Sequence, residues 1–348
     1  MRYLRTAFVA LVAALLLVSS ARAQNSGAGL GLGLLDRYLD ALRLELAIPG
    51  LSAVVVEDGR TVFERSYGLA DIATNVAARP DTPFPVAGLT EVFGAGLTLS
   101  ACVDSGRGTI ADRVVRWTPF AEPTTTLGHL LTHVLPDGVY QYDPGRFSTL
   151  TAVAAECGND DFDTQLANDV FDRFAMTDAV PGRDATSPLR RGHFTAAQLD
   201  RYTNALRRIA TPYRLDAKRV PVRSEDPAVG VDASTGVIAS ARDLAKYTAA
   251  SDDGLLLSPA LLAQVYTAQV GQPTGLGWFV QPYNGQRVVW QFGMTADAYS
   301  SLIVKIPDRR LTLILLANSD GLTSAITPQA PDVTQSLFAR TFLRLFIS

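Results

Sequence analysis

The chain has 348 residues, of which 47% are hydrophobic and 19% are charged, and its formal net charge is −3. This composition excludes a disordered or polyionic chain, and the length leaves room for one large domain or two ordinary ones with a sizeable core. The slightly acidic balance excludes a broad basic surface for nucleic acid or anionic lipid. The three lysines all lie after residue 217, so the first 217 residues cannot supply a lysine amine for chemistry.

The N-terminal segment has the pattern of a signal peptide. Arg2 and Arg5 precede a twelve-residue apolar run over 7–18, and Ala21-Arg22-Ala23 forms a small-x-small cleavage pattern. The run is too short for a permanent membrane-spanning helix, although an uncleaved anchor is the alternative. We expect residues 1–23 to be removed. The mature protein would then be periplasmic or secreted, with a net charge of −6 and no membrane span.

The elements predicted downstream follow from apolar periodicity and from β-rich runs bounded by turn residues. In chain order they are a helix from 34 to about 49, strands over 51–57 and 61–67, a helix over 88–104, a helix over 241–249, strands over 276–280, 287–292, 300–306 and 311–317, and a helix over 333–346. Asp58-Gly59 between the first two strands is a strong hairpin signal. The region from about 105 to 235 is irregular, with several short helices.

This order of elements predicts an α+β fold. Two strands near the start and four near the end indicate one antiparallel sheet closed by both ends of the chain and flanked by N- and C-terminal helices. We expect residues 24–85 and 235–348 to form this sheet subdomain. Residues 86–234 would form a mainly helical insertion, and the two parts together would make one domain.

Five separated segments carry a resemblance to a known family. They are Ile48-Pro49-Gly50-Leu51-Ser52, Tyr67-Gly68-Leu69-Ala70-Asp71, His129-Leu130-Leu131-Thr132-His133, Leu276-Gly277-Trp278 and Leu316-Ala317-Asn318-Ser319. With them the chain resembles the serine β-lactamase and penicillin-binding-protein-like hydrolases, most closely the class C β-lactamase, DD-peptidase and esterase branch. The resemblance implies a β-lactamase/transpeptidase-like fold and three catalytic motifs, which are Ser-x-x-Lys, Tyr-x-Asn, and Lys- or His-x-Gly.

The first of these motifs is missing. In the register that Phe84 and Phe93 set, Gly88 stands where the resemblance implies the serine, and Glu91 stands where it implies the lysine. Glycine has no nucleophilic atom, and glutamate inverts the charge that would activate one. No Ser-x-x-Lys occurs elsewhere in the sequence. The plainer interpretation is an ordinary helix start with Gly88 as cap and Glu91 in the first turn.

The second motif is altered as well. In its best register Thr149 replaces the tyrosine and Thr151 replaces the asparagine. A threonine hydroxyl is a poorer proton carrier than a phenol. Tyr142 lies seven residues before Thr149 and could reach the cleft instead, with a packed loop tyrosine as the alternative.

The third motif is altered in part, because Gln291 precedes Phe292-Gly293 where the resemblance implies a lysine or histidine. Glutamine forms hydrogen bonds but cannot carry a charge or shuttle a proton. The family's oxyanion hole uses two backbone N–H groups, which here would belong to Gly88 and Met294. These donors do not depend on side chains and could still bind a carbonyl or a carboxylate.

The remaining histidines and cysteines point to no metal or cofactor. His129 and His133 are four residues apart but lack the glutamate of a metalloprotease motif, and the resemblance makes this run structural. His193 is interpreted as solvated surface. Two cysteines cannot close a zinc site, so Cys102 and Cys157 form a disulfide or stay as buried thiols. The resemblance makes pairing plausible, since both segments would lead away from the same cleft as helices.

We therefore interpret the chain as an exported β-lactamase-related protein that has lost acyl transfer and acts as a binding or regulatory pseudoenzyme. Its vestigial cleft is expected to bind a small carboxylate or a peptidoglycan-like ligand, or a protein partner, although Glu91 would repel an anion. The first alternative is an active esterase, β-lactamase or DD-peptidase with a non-standard arrangement, such as Glu91 activating a water. The second is a structural envelope protein whose cleft is closed.

Overall fold

The computed structural model describes residues 29–225 and 230–347. The predicted signal peptide, residues 1–23, lies outside the described residues, so its removal stays a prediction. Within the described ranges no helix is both long and apolar enough to cross a membrane.

One seven-stranded antiparallel sheet forms the centre of the molecule. Its strands are β1 (Gly50–Glu57), β2 (Arg60–Asp71), β3 (Val76–Ala77), β9 (Phe279–Tyr283), β10 (Gln286–Thr295), β11 (Tyr299–Ile306) and β12 (Leu311–Ala317). Their spatial order is β3-β2-β1-β12-β11-β10-β9, so β1 pairs with β12 and the two ends of the chain close the sheet. The predicted α+β fold with one antiparallel sheet is confirmed.

Helices and short strands surround this sheet. The helices are α1 (29–45), α2 (Glu91–Thr98), α3 (Leu127–Leu131), α4 (Pro144–Phe147), α5 (Leu150–Gly158), α6 (Phe162–Gln165), α7 (Ala196–Leu206), α8 (Ala241–Asp252), α9 (Pro259–Val265) and α10 (Leu337–Phe346). The short strands are β4 (Phe84–Pro85), β5 (Val180–Pro181), β6 (Tyr213–Leu215), β7 (Pro221–Arg223) and β8 (Val237–Ala239). A 3₁₀ turn, Ala87–Thr90, leads directly into α2, and a π-helical turn, Leu99–Asp104, follows it.

Alternating side chains of the sheet enter two separate cores. On β12, Leu313 and Leu315 pack with α1 and α10, whereas Ile314 and Leu316 face the core that contains α2 and α8. Every residue of β12 is buried, as expected for a strand covered on both faces. The sheet therefore holds α2, which carries the candidate site, against one of its faces.

Several element boundaries differ from those predicted, and two of these differences have a clear structural cause. Strand β9 begins at Phe279 rather than residue 276, because Gly277 takes a positive φ of 78° and packs against α2. The C-terminal helix begins at Leu337, since the extended backbone of Ser336 separates it from a 3₁₀ turn over Val333–Gln335. The hairpin at Asp58-Gly59 is as predicted, with φ values of 50° and 73° that suit a type I′ turn.

The segments that carried the family resemblance meet in space. Asn318 Oδ1 accepts a hydrogen bond from the Gly50 N–H at 2.7 Å, and its Nδ2 donates to the Leu69 carbonyl at 3.1 Å. A Cβ on Gly68 would overlap the Pro49 carbonyl oxygen, so these two backbones approach as closely as glycine permits. These contacts join three segments that are far apart in sequence.

A disulfide joins Cys102, in the turn after α2, to Cys157 in α5. The two cysteines are 55 residues apart in sequence and both are buried.

We predict that Cys102→Ala with Cys157→Ala lowers the free energy of unfolding by about 2–4 kcal/mol, because the open loop gives the unfolded chain more entropy. Urea unfolding of the variant and the oxidised wild type measures this. An unchanged midpoint would contradict it.

Asp243 is a completely buried acid in the first turn of α8. Its Oδ2 accepts hydrogen bonds from the Ser240 hydroxyl at 2.8 Å and from the Asp178 N–H at 3.2 Å. Burial, reinforced by the charge of Asp178, raises the pKa of Asp243 to about 6. The folded protein therefore takes up this proton at a higher pH than the unfolded chain does.

Because of this shift, the free energy of unfolding should fall by up to about 3 kcal/mol as the pH rises from about 4 to about 6. Asp243→Asn should remove that slope and be more stable than the wild type at about pH 7. Urea unfolding at several pH values between these limits measures both effects. The matched control is Asp200→Asn on α7, an exposed acid whose replacement should leave the slope unchanged.

Candidate functional site

Glu91, the first residue of α2, is the centre of the candidate site. Its side chain is 0% exposed to solvent. Glu91 Oε2 accepts hydrogen bonds from Gln291 Nε2 at 3.0 Å and from His133 Nε2 at 3.2 Å, and Oε1 accepts one from the Tyr142 hydroxyl at 3.2 Å. Residues 133–142 and strand β10, both far from Glu91 in sequence, thus direct donors at one buried carboxylate.

Backbone groups fix the orientation of two of these donors. The Asp143 N–H donates to His133 Nδ1 at 3.2 Å, so the imidazole carries its proton on Nε2, the atom facing Glu91. The Phe292 N–H donates to Gln291 Oε1 at 3.0 Å, which turns the amide NH₂ toward the same carboxylate. Both side chains are therefore positioned as donors.

Tyr142 is the third donor and is half-buried. Burial, followed by the charge of Glu91, raises the pKa of Tyr142 well above its usual value, so the phenol keeps its proton and donates it. The Gln329 side chain holds the Tyr142 backbone twice, accepting from its N–H at 3.2 Å and donating to its carbonyl at 3.0 Å. The Tyr142 ring lies 4.5 Å from the ring of His133 between centroids.

The predicted cleft residues Gly88, Gln291 and Gly293 come together beside Glu91. A Cβ on Gly88 would lie 3.3 Å from the Tyr142 hydroxyl and 3.8 Å from the Cα of Gly293. A Cβ on Gly293 would overlap the Val86 carbonyl oxygen, so strand β10 can approach the turn before α2 only with glycine there. The side chain of Met294, next along β10, is 39% exposed.

Thr149 and Thr151, the other predicted cleft residues, make no hydrogen bond to Glu91 in the described chain. The Thr151 hydroxyl accepts from the Ala233 N–H at 2.8 Å and so holds the segment that packs against α2. Thr149 is half-buried at the start of α5. The phenol beside the Gly88 position belongs to Tyr142, which the sequence offered only as the alternative to Thr149.

His133 is the site residue that sequence reasoning missed. It was assigned a structural role because its Leu-Leu-Thr-His run resembles a family signature. Its side chain is 4% exposed and stacks on Phe147 with a centroid distance of 5.0 Å. The glutamate in the first turn of a buried helix could have indicated such a residue, because a buried carboxylate requires hydrogen-bond donors from other parts of the chain.

One group within the described residues has the geometry to hold a metal ion, namely Asp161, Asp163 and His193. His193 Nδ1 lies 3.1 Å from both carboxylate oxygens of Asp163, so His193 is not simply solvated as the sequence suggested. Arg190 Nη1 lies 3.3 Å from Asp163 Oδ2. Because Asp163 already has this cationic partner, we assign the group to structural ion pairing.

The arrangement around Glu91 limits the chemistry available there. Glycine stands where the resemblance implies the nucleophile, and the neighbouring phenol keeps its proton. Both oxygens of Glu91 are engaged by donors and shielded from solvent, which leaves the carboxylate poorly placed to deprotonate a water. The residues that remain can bind and orient a polar group.

We predict that Tyr142→Phe lowers the free energy of unfolding by about 1.5–3 kcal/mol, because it removes a hydrogen bond to a buried carboxylate. Tyr140→Phe is the matched control, since that hydroxyl donates to the Pro328 carbonyl and its loss should cost about 1 kcal/mol. A double-mutant cycle of Tyr142→Phe with Glu91→Gln measures the coupling by urea unfolding. Additive effects would show that the two side chains do not interact.

The sequence is similar to those of known proteins. The chain matches the Beta-lactamase family over residues 35–332. It is 27% identical to Esterase EstB of Burkholderia gladioli over 158 residues, which are 43% of this chain and 34% of that protein. It is 23% identical to Protein flp of Staphylococcus aureus over 301 residues, which are 78% of this chain and 60% of that protein. The chain thus spans about a third to three fifths of the length of these curated relatives.

Solved structures share the fold. A penicillin-binding protein homologue from Pyrococcus abyssi superposes with a TM-score of 0.71 at 18% identity, covering 90% of this chain and 77% of that one. A class C beta lactamase from Rhodobacter sphaeroides superposes with a TM-score of 0.69 at 16% identity, covering 90% of this chain and 99% of that one. At these identities the likeness concerns the fold alone.

Proposed function

This chain belongs to the beta-lactamase family, and we propose that it has lost acyl transfer and acts as an exported binding or regulatory protein. The observation that carries the proposal is the replacement of nucleophile and base by Gly88 and Glu91, with the carboxylate satisfied by three donors. Removal of a triad nucleophile costs about 10⁶ in rate in comparable hydrolases. A protein with this site would keep the fold of the family but would not form an acyl-enzyme intermediate.

Two hydroxyls beside the turn that carries Gly88 support this proposal. The Tyr142 hydroxyl donates to Glu91, and the Ser301 hydroxyl is completely buried and donates to the Val86 carbonyl at 2.7 Å. A serine nucleophile needs an adjacent base that accepts its proton and an exposed path to the substrate. Neither hydroxyl meets both requirements.

The competing proposal is a hydrolase in which Glu91 activates a water. Such a base must lie within hydrogen-bond reach of a water that also contacts the substrate. Glu91 is completely buried and already accepts three hydrogen bonds. Catalysis would therefore require the loop that carries Tyr142 to move before any water could reach Oε1.

The direct test is incubation of the full chain with a fluorescent penicillin and with a fluorophosphonate, followed by intact mass measurement. We expect no adduct on the wild type, because no activated nucleophile lies beside the backbone donors of Gly88. A stoichiometric adduct, located by peptide mapping, would overturn the loss of acyl transfer. Turnover of an ester without an adduct would instead support the Glu91 hydrolase.

Gly88→Ser alone should give no burst with a p-nitrophenyl ester, because the neighbouring Tyr142 phenol keeps its proton and Glu91 offers no cation. Gly88→Ser with Glu91→Lys restores both residues of the first motif and should give a slow, stoichiometric burst. Gly88→Ser with Glu91→Gln is the matched control, since it removes the charge without adding an amine. A strong burst from the single variant would show that the base lies elsewhere.

A further inference from the structure

We propose that Glu91 and the aromatic rings beside it form a binding site for a small organic ammonium ion, which displaces the Tyr142 hydroxyl. This proposal rests on the proposed loss of acyl transfer, because it assigns a ligand to the same site. The ligand expected from the sequence is a small carboxylate, and that prediction is untested. The ligand proposed here has the opposite charge. Charge, ring placement and the partial exposure of Tyr142 each contribute to this proposal.

The charge of the site favours a cation. Glu91 is completely buried, and within the described chain no lysine or arginine lies within ion-pair distance of it. His133 is near enough, but its Nδ1 accepts the Asp143 N–H, so its one proton already serves the hydrogen bond to Glu91. The three donors to this buried carboxylate carry no charge. A cationic donor would therefore stabilise the carboxylate more than any of them does.

Aromatic rings line the position that the ligand would take. The Tyr142 ring lies among three others, with centroid distances of 4.5 Å to His133, 6.0 Å to Phe279 and 6.5 Å to Phe292. The rings of Phe279 and Phe292 are inclined by 33° and 23° to that of Tyr142, so they would pack against an aromatic ring in its place. A ligand with one ring and one ammonium group would therefore replace both parts of the tyrosine side chain.

Tyr142 is the donor that the ligand would replace, and its loop would have to move for the ligand to enter. Among the three donors to Glu91, His133 and Gln291 are buried, whereas Tyr142 is half-buried and so lies on the solvent side. Its hydroxyl contributes one hydrogen bond at 3.2 Å, and its loop is held by the exposed side chain of Gln329. An ammonium ion would give Oε1 a charged donor in exchange for an uncharged one.

The test uses benzylammonium as probe, with benzyl alcohol as the isosteric neutral control and benzoate as the anionic control, measured by ligand-observed NMR and calorimetry at about pH 7. We expect the wild type to bind benzylammonium in preference to both controls. Tyr142→Ala should tighten that binding about tenfold or more, because the competing phenol is gone. Tyr140→Ala is the matched control and should leave the affinity unchanged.

Glu91→Gln should abolish the preference for the ammonium group. If this variant does not fold, the comparison of the three probes on Tyr142→Ala decides the proposal without it. Equal binding of benzyl alcohol, stronger binding of benzoate, or no binding to Tyr142→Ala would overturn the ammonium site. None of these results involves a covalent adduct, so each would leave the proposed loss of acyl transfer standing.

Discussion

A carboxylate removed completely from water must be compensated by donors within the protein, and in this chain Glu91 imposes that requirement on everything around it. Strand β10 supplies an amide, the segment after α3 supplies an imidazole, and the following loop supplies a phenol. Backbone N–H groups hold the imidazole and the amide in their donating orientations. The conformation of residues 133–143 is thus tied to a single charge on α2.

The contacts that hold the sheet and α2 together around this site are made by one asparagine and by closely packed backbones. Asn318 joins the first and last strands, and Gly293 lets β10 touch the turn before α2. Gly277 likewise fits against α2, and its N–H donates to the Leu131 carbonyl at 2.7 Å. None of these contacts depends on a serine, a lysine or a catalytic tyrosine. The proposed loss of acyl transfer is therefore compatible with an unchanged fold.

The sequence predicted the sheet well, since alternation and continuous apolar runs reflect burial that each strand experiences locally. Strand β12 has the predicted bounds, and Asp58-Gly59 forms the predicted turn. The start of β9 was wrong because Gly277 responds to a neighbour, α2, that no local pattern reveals. Tertiary contacts decide such boundaries.

The candidate site was predictable only where a motif supplied the register. Gly88, Glu91, Gln291 and Gly293 could be placed in one cleft by the resemblance, and the structure brings them together. His133 could not be placed, because its role depends on a hydrogen bond across 42 residues to a glutamate that the family pattern does not contain. The choice between Tyr142 and Thr149 likewise depended on the path of a loop, and loops have no periodicity to read.

The central claim is that Glu91 organises uncharged donors around itself, and the protonation of His133 tests it most directly. The chain has three histidines, so ¹⁵N NMR of the imidazole rings, with His133→Gln for assignment, can identify each one. At about pH 7 the account predicts that His133 carries its proton on Nε2 and has a bare Nδ1 that accepts a hydrogen bond. A proton on Nδ1, alone or together with one on Nε2, would contradict the network and the tautomer on which it depends.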